Sequence, residues 1–190
     1  CYTRSCCKSA ADEEVGNFSR RRNRISAPSQ NMEPTMLFVE SQNQFNKAVE
    51  NFLHSTGFLP FEKWNRFEIE HTTHSPTKEE KRKAKKFTQS FVAGKLGLYA
   101  YFDYSGDLLY VGKAKVLLSR IYSHYTEAFG RVNDSNKAVA WFRFFSKHTG
   151  KLLVCWKELS GDREQRIIEE MIECVNRSRF DIDYPRGKRR

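Results

Sequence analysis

Two tyrosines, three basic side chains and a histidine fall close together in one stretch of the chain, in a spacing that could serve phosphate chemistry. Gly97-Leu98-Tyr99 is followed after ten residues by Tyr110-Val111-Gly112, then by Lys113, Lys115 and Arg120. An arginine suits a bidentate grip on a phosphate whose negative charge grows during transfer. A phenol titrates near pH 10, so a tyrosine is a poor base at neutrality unless positive neighbours favour the phenolate. His124 lies four residues beyond Arg120 and shares its face on a helix that holds both.

The elements that must position these groups are readable from hydrophobic periodicity. Residues 97–103 and 108–113 alternate with period two around Ser105-Gly106-Asp107, which predicts a hairpin. A two-residue Ser105-Gly106 loop sets Tyr99 opposite Gly112 and Tyr101 opposite Tyr110 on one face, whereas a three-residue loop slips the register by one and separates the tyrosines. Leu117, Leu118, Ile121 and Tyr125 form a helical stripe, and Val139, Phe142 and Phe145 suggest a second helix ending near Gly150. A third strand is expected at Leu152 to Trp156. Beyond Ser160-Gly161-Asp162, a cap signal, Ile167, Ile168, Met171, Ile172 and Val175 mark a final amphipathic helix. The expectation is an α+β domain over residues 95–185, a three-stranded sheet flanked by helices in the order ββααβα.

Residues 35–94 read as a mainly helical accessory region. Phe45, Ala48, Val49, Phe52 and Leu53 recur at helical spacing, with Ser41 and Gln44 as a capping pair and Gly57 as the stop. The stretch from Phe58 to Ile69 mixes aromatics with Pro60 and charges and is read as an irregular docking segment. A second capping box, Thr77 to Glu80, opens a lysine-rich run in which Lys81, Arg82 and Lys85 either contact phosphates or form a solvated helix face. Residues 1–34 read as a disordered tail that need not be native, with Met32 resembling a natural start, and residues 186–190 as a basic tail.

Composition narrows the partners. Hydrophobic residues make up 39% and charged residues 29% of the 190, too much apolar material for a disordered chain. The formal net charge of +10 is the sign expected for a partner that carries phosphates. Residues 1–31 hold six basic and three acidic side chains, so the remainder keeps +7. No apolar run is long enough to cross a bilayer, and the five cysteines have neither disulfide-framework nor zinc spacing. A cytoplasmic protein with no membrane partner is expected.

The two tripeptides at this spacing, running into Gly112-Lys113-Ala114-Lys115 and Arg120, resemble the GIY-YIG nuclease family, and within it the nuclease modules of bacterial excision-repair proteins. The resemblance covers about half the chain and excludes residues 1–94. It implies a metal-dependent endonuclease that hydrolyses DNA phosphodiester bonds, with Gly97 and Gly112 as motif backbone. Tyr99 corresponds to the tyrosine that accepts a proton from the attacking water, Tyr110 to the second motif tyrosine, and Arg120 to the phosphate-steadying arginine. His124 is similar to a histidine of the restriction-enzyme branch that orients the tyrosine or the water, and Lys113 either contacts the scissile phosphate or reaches solvent.

The same resemblance implies a metal-binding glutamate on the last helix. Ile167-Ile168-Glu169 matches the pattern of aliphatic residues before that glutamate, and Arg179-Phe180-Asp181 resembles a terminal Arg-Phe-Asn, with Asp181 a departure. The helical wheel instead places Glu164 within the stripe of Ile168, Met171, Ile172 and Val175, with Glu169 at its edge. One carboxylate plus water suits a single magnesium ion, or manganese. A binding module that has lost cleavage, or a nuclease recruited by a protein partner through residues 35–94, is the competing expectation. No phosphate-cradling glycine loop supports transfer between small phosphates, and no base-reading signature selects among repair, restriction, homing and phage roles.

Overall fold

A computed structural model describes residues 34–127 and 136–184; of the tails expected at 1–34 and 186–190, all but Pro34 lies outside the described residues. The elements run α1 (Pro34–Ser55), β1 (Asn65–His71), α2 (Lys78–Val92), β2 (Gly97–Phe102), β3 (Leu108–Ala114), α3 (Leu117–Glu127), α4 (Asn136–Phe145), β4 (Gly150–Glu158), α5 (Asp162–Val175) and α6 (Arg179–Asp183). The α+β class is as expected, but the sheet has four antiparallel strands in the order β1-β4-β2-β3.

The strand missed in the sequence is β1, which pairs with β4 from Asn65↔Trp156 to His71↔Gly150. It lies in the stretch expected to be irregular, yet Phe67, Ile69 and His71 are buried and alternate with exposed Arg66, Glu68 and Glu70. That is the period of a strand with one face on a core. Residues 35–94 therefore supply one edge of the sheet as well as α1 and α2.

The hairpin keeps the register that sets Tyr99 opposite Gly112 and Tyr101 opposite Tyr110. It does so with a longer connection than the two-residue loop, because a bulge between Tyr101 and Phe102 absorbs one residue and Phe102 pairs with Leu108. Asp103 accepts hydrogen bonds from the Ser105 hydroxyl at 2.6 Å and from the Asp107 amide at 2.9 Å, which closes the turn.

Alternation splits the sheet into two unlike faces. One carries Tyr99, Tyr101, Tyr110, Val154, Trp156, Phe67 and Ile69 against side chains of α2, α3, α4 and α6. The other carries Leu98, Ala100, Val111 and Cys155 against Val49 and Leu53 of α1 and Ile168 and Ile172 of α5, with Leu59 and Trp64 joining from the connection after α1.

Several local expectations are corrected. Helix α1 begins at Pro34, so Ser41 and Gln44 lie inside it rather than at its start; proline is well tolerated at a helix's first position. Helix α4 ends at Phe145, five residues short of Gly150. Ile167 is 49% exposed, so the buried face of α5 runs through Gln165, Ile168 and Ile172 instead. The Thr77–Glu80 capping box forms as read, with the Thr77 hydroxyl accepting from the Glu80 amide at 3.2 Å and the Glu80 carboxylate accepting from the Thr77 amide at 2.6 Å.

Candidate functional site

The strand β3 is one edge of the sheet, and beside it opens a cleft of about 610 Å³. Its wall takes Tyr110, Lys113 and Lys115 from β3 and the residues just beyond it, Ser119, Arg120 and Ser123 from α3, Trp141 from α4, and Asp162 and Glu169 from α5. Arg120 and Glu169 thus come from two different helices to the same opening, with Tyr110 between them on the strand. The negative charge of Glu169 is felt at the Tyr110 hydroxyl, and so is the positive charge of Arg120.

Tyr99 does not border the cleft. It is fully buried behind Tyr110, ring centroids 5.7 Å apart, and its hydroxyl lies 2.7 Å from Nε2 of His124, which is itself fully buried. His124 packs 4.4 Å from the Trp141 ring and 5.4 Å from Phe145, so its orientation is set by an aromatic cage. The shared helix face of Arg120 and His124 does turn toward the hairpin, as their spacing suggests. The positive charge of Arg120 acts on the Tyr99 hydroxyl as well as on that of Tyr110.

The motif glycines have steric reasons. A side chain at Gly112 would start 2.6 Å from the Tyr99 hydroxyl and 2.6 Å from the Tyr110 ring, so only glycine lets both rings lie across β3. Gly97 has φ of 145° and faces the carbonyl of Lys157 so closely that a Cβ would collide with the β4 backbone.

Burial is the largest influence on both phenols and opposes ionisation; Arg120 pulls the other way without overcoming it. Tyr99 is held well above the ordinary tyrosine value, and Tyr110 is pushed up to about 12. Both are neutral hydrogen-bonding groups at pH 7.

Of the two candidate glutamates, Glu169 is half-buried at the cleft, whereas Glu164 is exposed and folds its carboxylate over Gly161 at the start of α5. The wheel misplaced Glu164 because α5 rotates Gln165 inward, where its amide donates to the Leu159 carbonyl. Asp181 accepts from the Ser178 hydroxyl at 2.6 Å and belongs to the cap of α6. Among the described residues no group of three or more His, Cys, Asp or Glu side chains could hold a metal by protein ligands alone. A half-buried carboxylate at an aqueous opening fits a hard divalent ion that keeps most of its own water.

Lys113 lines the cleft but is paired, its ammonium 2.8 Å from the Asp162 carboxylate. Lys81, Arg82 and Lys85 stand apart on α2, outside the cleft wall. Arg82 forks onto Glu79 with two bonds of 2.8 Å, and the Lys85 ammonium sits 5.7 Å from the Tyr122 ring centroid. The segment 35–94, expected to meet a partner, exposes Val39, Phe45 and Phe52 on α1 and Phe87 and Phe91 on α2. Trp141 and Asp162 were missed by sequence reasoning. Trp141 carried no signal, since an aromatic at helical spacing reads as core, while Asp162 was visible only as part of a cap. No helix among the described residues is long and apolar enough to cross a membrane. No family model and no curated protein matches the chain.

Proposed function

We propose that this protein is a GIY-YIG-type endonuclease that hydrolyses DNA phosphodiester bonds with one divalent metal ion. The observation that carries the reading is the meeting of Arg120 and Glu169, from α3 and α5, at a basic cleft bordered by Tyr110. Arg120 grips the scissile phosphate through its fork of N–H donors, and Lys115 adds charge along the strand. Glu169 would hold the ion, magnesium or manganese, which would supply positive charge where the leaving 3′ oxygen develops negative charge.

The proton route is set by burial. Tyr110 is the phenol that water in the cleft can reach, and behind it stand Tyr99 and then Nε2 of His124 at 2.7 Å. Neutral phenols relay rather than store a proton: Tyr110 accepts one from the attacking water as it passes its own to Tyr99, Tyr99 passes its own to His124, and the leaving 3′ oxygen takes its proton from water in the cleft. The relay requires the His124 tautomer with Nε2 unprotonated.

A second reading, a DNA-binding module on the same fold that is inactive or recruited by a partner through residues 35–94, is favoured by the seclusion of Tyr99 from the cleft. Incubation with supercoiled, branched and single-stranded DNA separates the two. Magnesium-dependent nicking supports the nuclease, and DNA binding without cleavage in magnesium or manganese supports the module.

A further inference from the structure

Asp162 sits at the mouth of the cleft in the first turn of α5, among cations. Its carboxylate accepts a 2.8 Å hydrogen bond from Lys113, and the positive charges of Lys115 and Arg166 also act on it, holding it below the usual carboxylate range. Lys113, Lys115 and Asp162 line the cleft together; Arg166 follows Asp162 by one helical turn. Three cations around one carboxylate leave an excess of two positive charges. The Asp162 side chain is 48% exposed and that of Lys113 only 24%. The anion is therefore the solvent-facing, replaceable member of the pair, while the ammonium is the fixed one.

We propose that Lys113, Lys115 and Arg166 form a second phosphate subsite, distinct from Arg120, in which Asp162 stands in for a backbone phosphate of the bound strand until that phosphate displaces it. The subsite rests on the nuclease reading only for the identity of its ligand, a phosphodiester of the same nucleic-acid strand. Its action is an exchange of one anion for another on Lys113, with no bond made or broken. The exchange weakens binding of any strand too short to reach both Arg120 and the subsite, because Asp162 then keeps Lys113 neutralised.

The test uses the full chain and a labelled DNA duplex in EDTA, so that binding is read without cleavage and the outcome is independent of whether the protein is a nuclease. Asp162→Asn is expected to bind about three- to tenfold more tightly at low salt, because the resident anion is gone and the cations remain. Lys115→Gln/Arg166→Gln is expected to weaken binding and to lower the slope of log affinity against log salt by about 1 to 2. Unchanged or weaker binding by a folded Asp162→Asn variant overturns the proposal, as does an unchanged salt slope in the double variant. Should Asp162→Asn fail to fold, the salt slope alone decides. Inorganic phosphate in the millimolar range, at constant ionic strength, is expected to leave the duplex bound; its displacement of the duplex would identify a small-anion site and overturn the assignment to a strand.

Discussion

The two faces of the sheet are built from different chemistry, although the same strands supply both. One is aliphatic at its centre, where Leu98, Ala100 and Val111 meet Val49, Leu53, Ile168 and Ile172, with Phe61, Trp64 and Phe102 at its margin. The other is aromatic: Tyr99, Tyr101, Tyr110, Trp141, Phe144, Phe145 and Phe180 interlock, with Trp141 stacked on Phe180 at 4.1 Å and 10°. Aromatic rings pack as densely as aliphatic chains but can carry a polar handle at the edge. The aliphatic face thus holds α5 against the sheet so that Glu169 reaches round the open edge at β3, while the aromatic face holds hydroxyls and imidazoles at fixed positions behind the cleft. Stability on the first face and proton placement on the second should be separable by mutation.

The largest expected effect tests the aliphatic side. Ile172 is fully buried, and Ile172→Ala should lower unfolding free energy in urea by about 2–5 kcal/mol. If the faces are separable, DNA affinity of the folded fraction stays within about twofold of the parent, since surface contacts carry that term. A smaller loss is expected on the aromatic side for Gly112→Ala, about 1–3 kcal/mol from overpacking against Tyr99 and Tyr110. There the DNA affinity should fall together with stability, because Tyr110 lines the cleft.

Tyr99→Phe sharpens the contrast further. It removes the 2.7 Å bond to His124 and leaves a buried imidazole nitrogen short of that partner, a cost of about 1–3 kcal/mol. Nicking should decline far more than DNA binding, because the relay is interrupted while Arg120 and the lysines are untouched.

The two buried phenols also predict a pH signature. Their folded pKa values lie above the unfolded value near 10, so their contribution to stability is complete below about pH 10 and is lost as the pH rises, for Tyr110 toward about 12. Thermal unfolding followed from pH 9 upward, with tyrosinate absorbance as the marker, should show the last phenols ionising together with unfolding; full ionisation while the fold persists would contradict their burial. His71 supplies the acid counterpart. Its two ring nitrogens are buried without hydrogen-bond partners, and burial pushes its pKa down to about 3. Its contribution is present above about pH 6.5 and lost as pH falls toward 3, so His71→Phe should keep or raise stability at neutral pH and flatten the acid limb.

Smallest of all should be the α2 substitutions. Arg82→Gln breaks only an exposed i,i+3 pair with Glu79 and should leave the urea midpoint unchanged.

Much of the site was legible because local rules and the fold agree there. The tyrosine register is the one strand alternation implied, although a bulge and a longer connection replace the two-residue loop, and the two glycines, named from the family resemblance, stand where a side chain has no room. The capping box at Thr77 was likewise a purely local signal. Legibility failed where long-range packing decides. The alternation of Phe67, Ile69 and His71 was present in the sequence, but neighbouring Pro60, Phe61 and Trp64 disguised it, and a strand pairing with β4 about eighty to ninety residues away leaves no local mark. The wheel favoured Glu164 because it averages the apolar stripe, whereas α5 is rotated by the inward turn of Gln165, and that depends on the Leu159 carbonyl being within reach. That Tyr110 borders the cleft while Tyr99 lies behind it is also invisible in sequence, since both sit on the same face of the sheet.

The most direct test sets Glu169→Ala beside Glu164→Ala in plasmid nicking with magnesium, at equal DNA occupancy. Glu169→Ala is expected to lower the nicking rate by about 10²- to 10³-fold, with Glu164→Ala close to the parent protein. Undiminished nicking by Glu169→Ala, or a larger loss in Glu164→Ala, would contradict a cleavage centre at the meeting of Arg120, Tyr110 and Glu169.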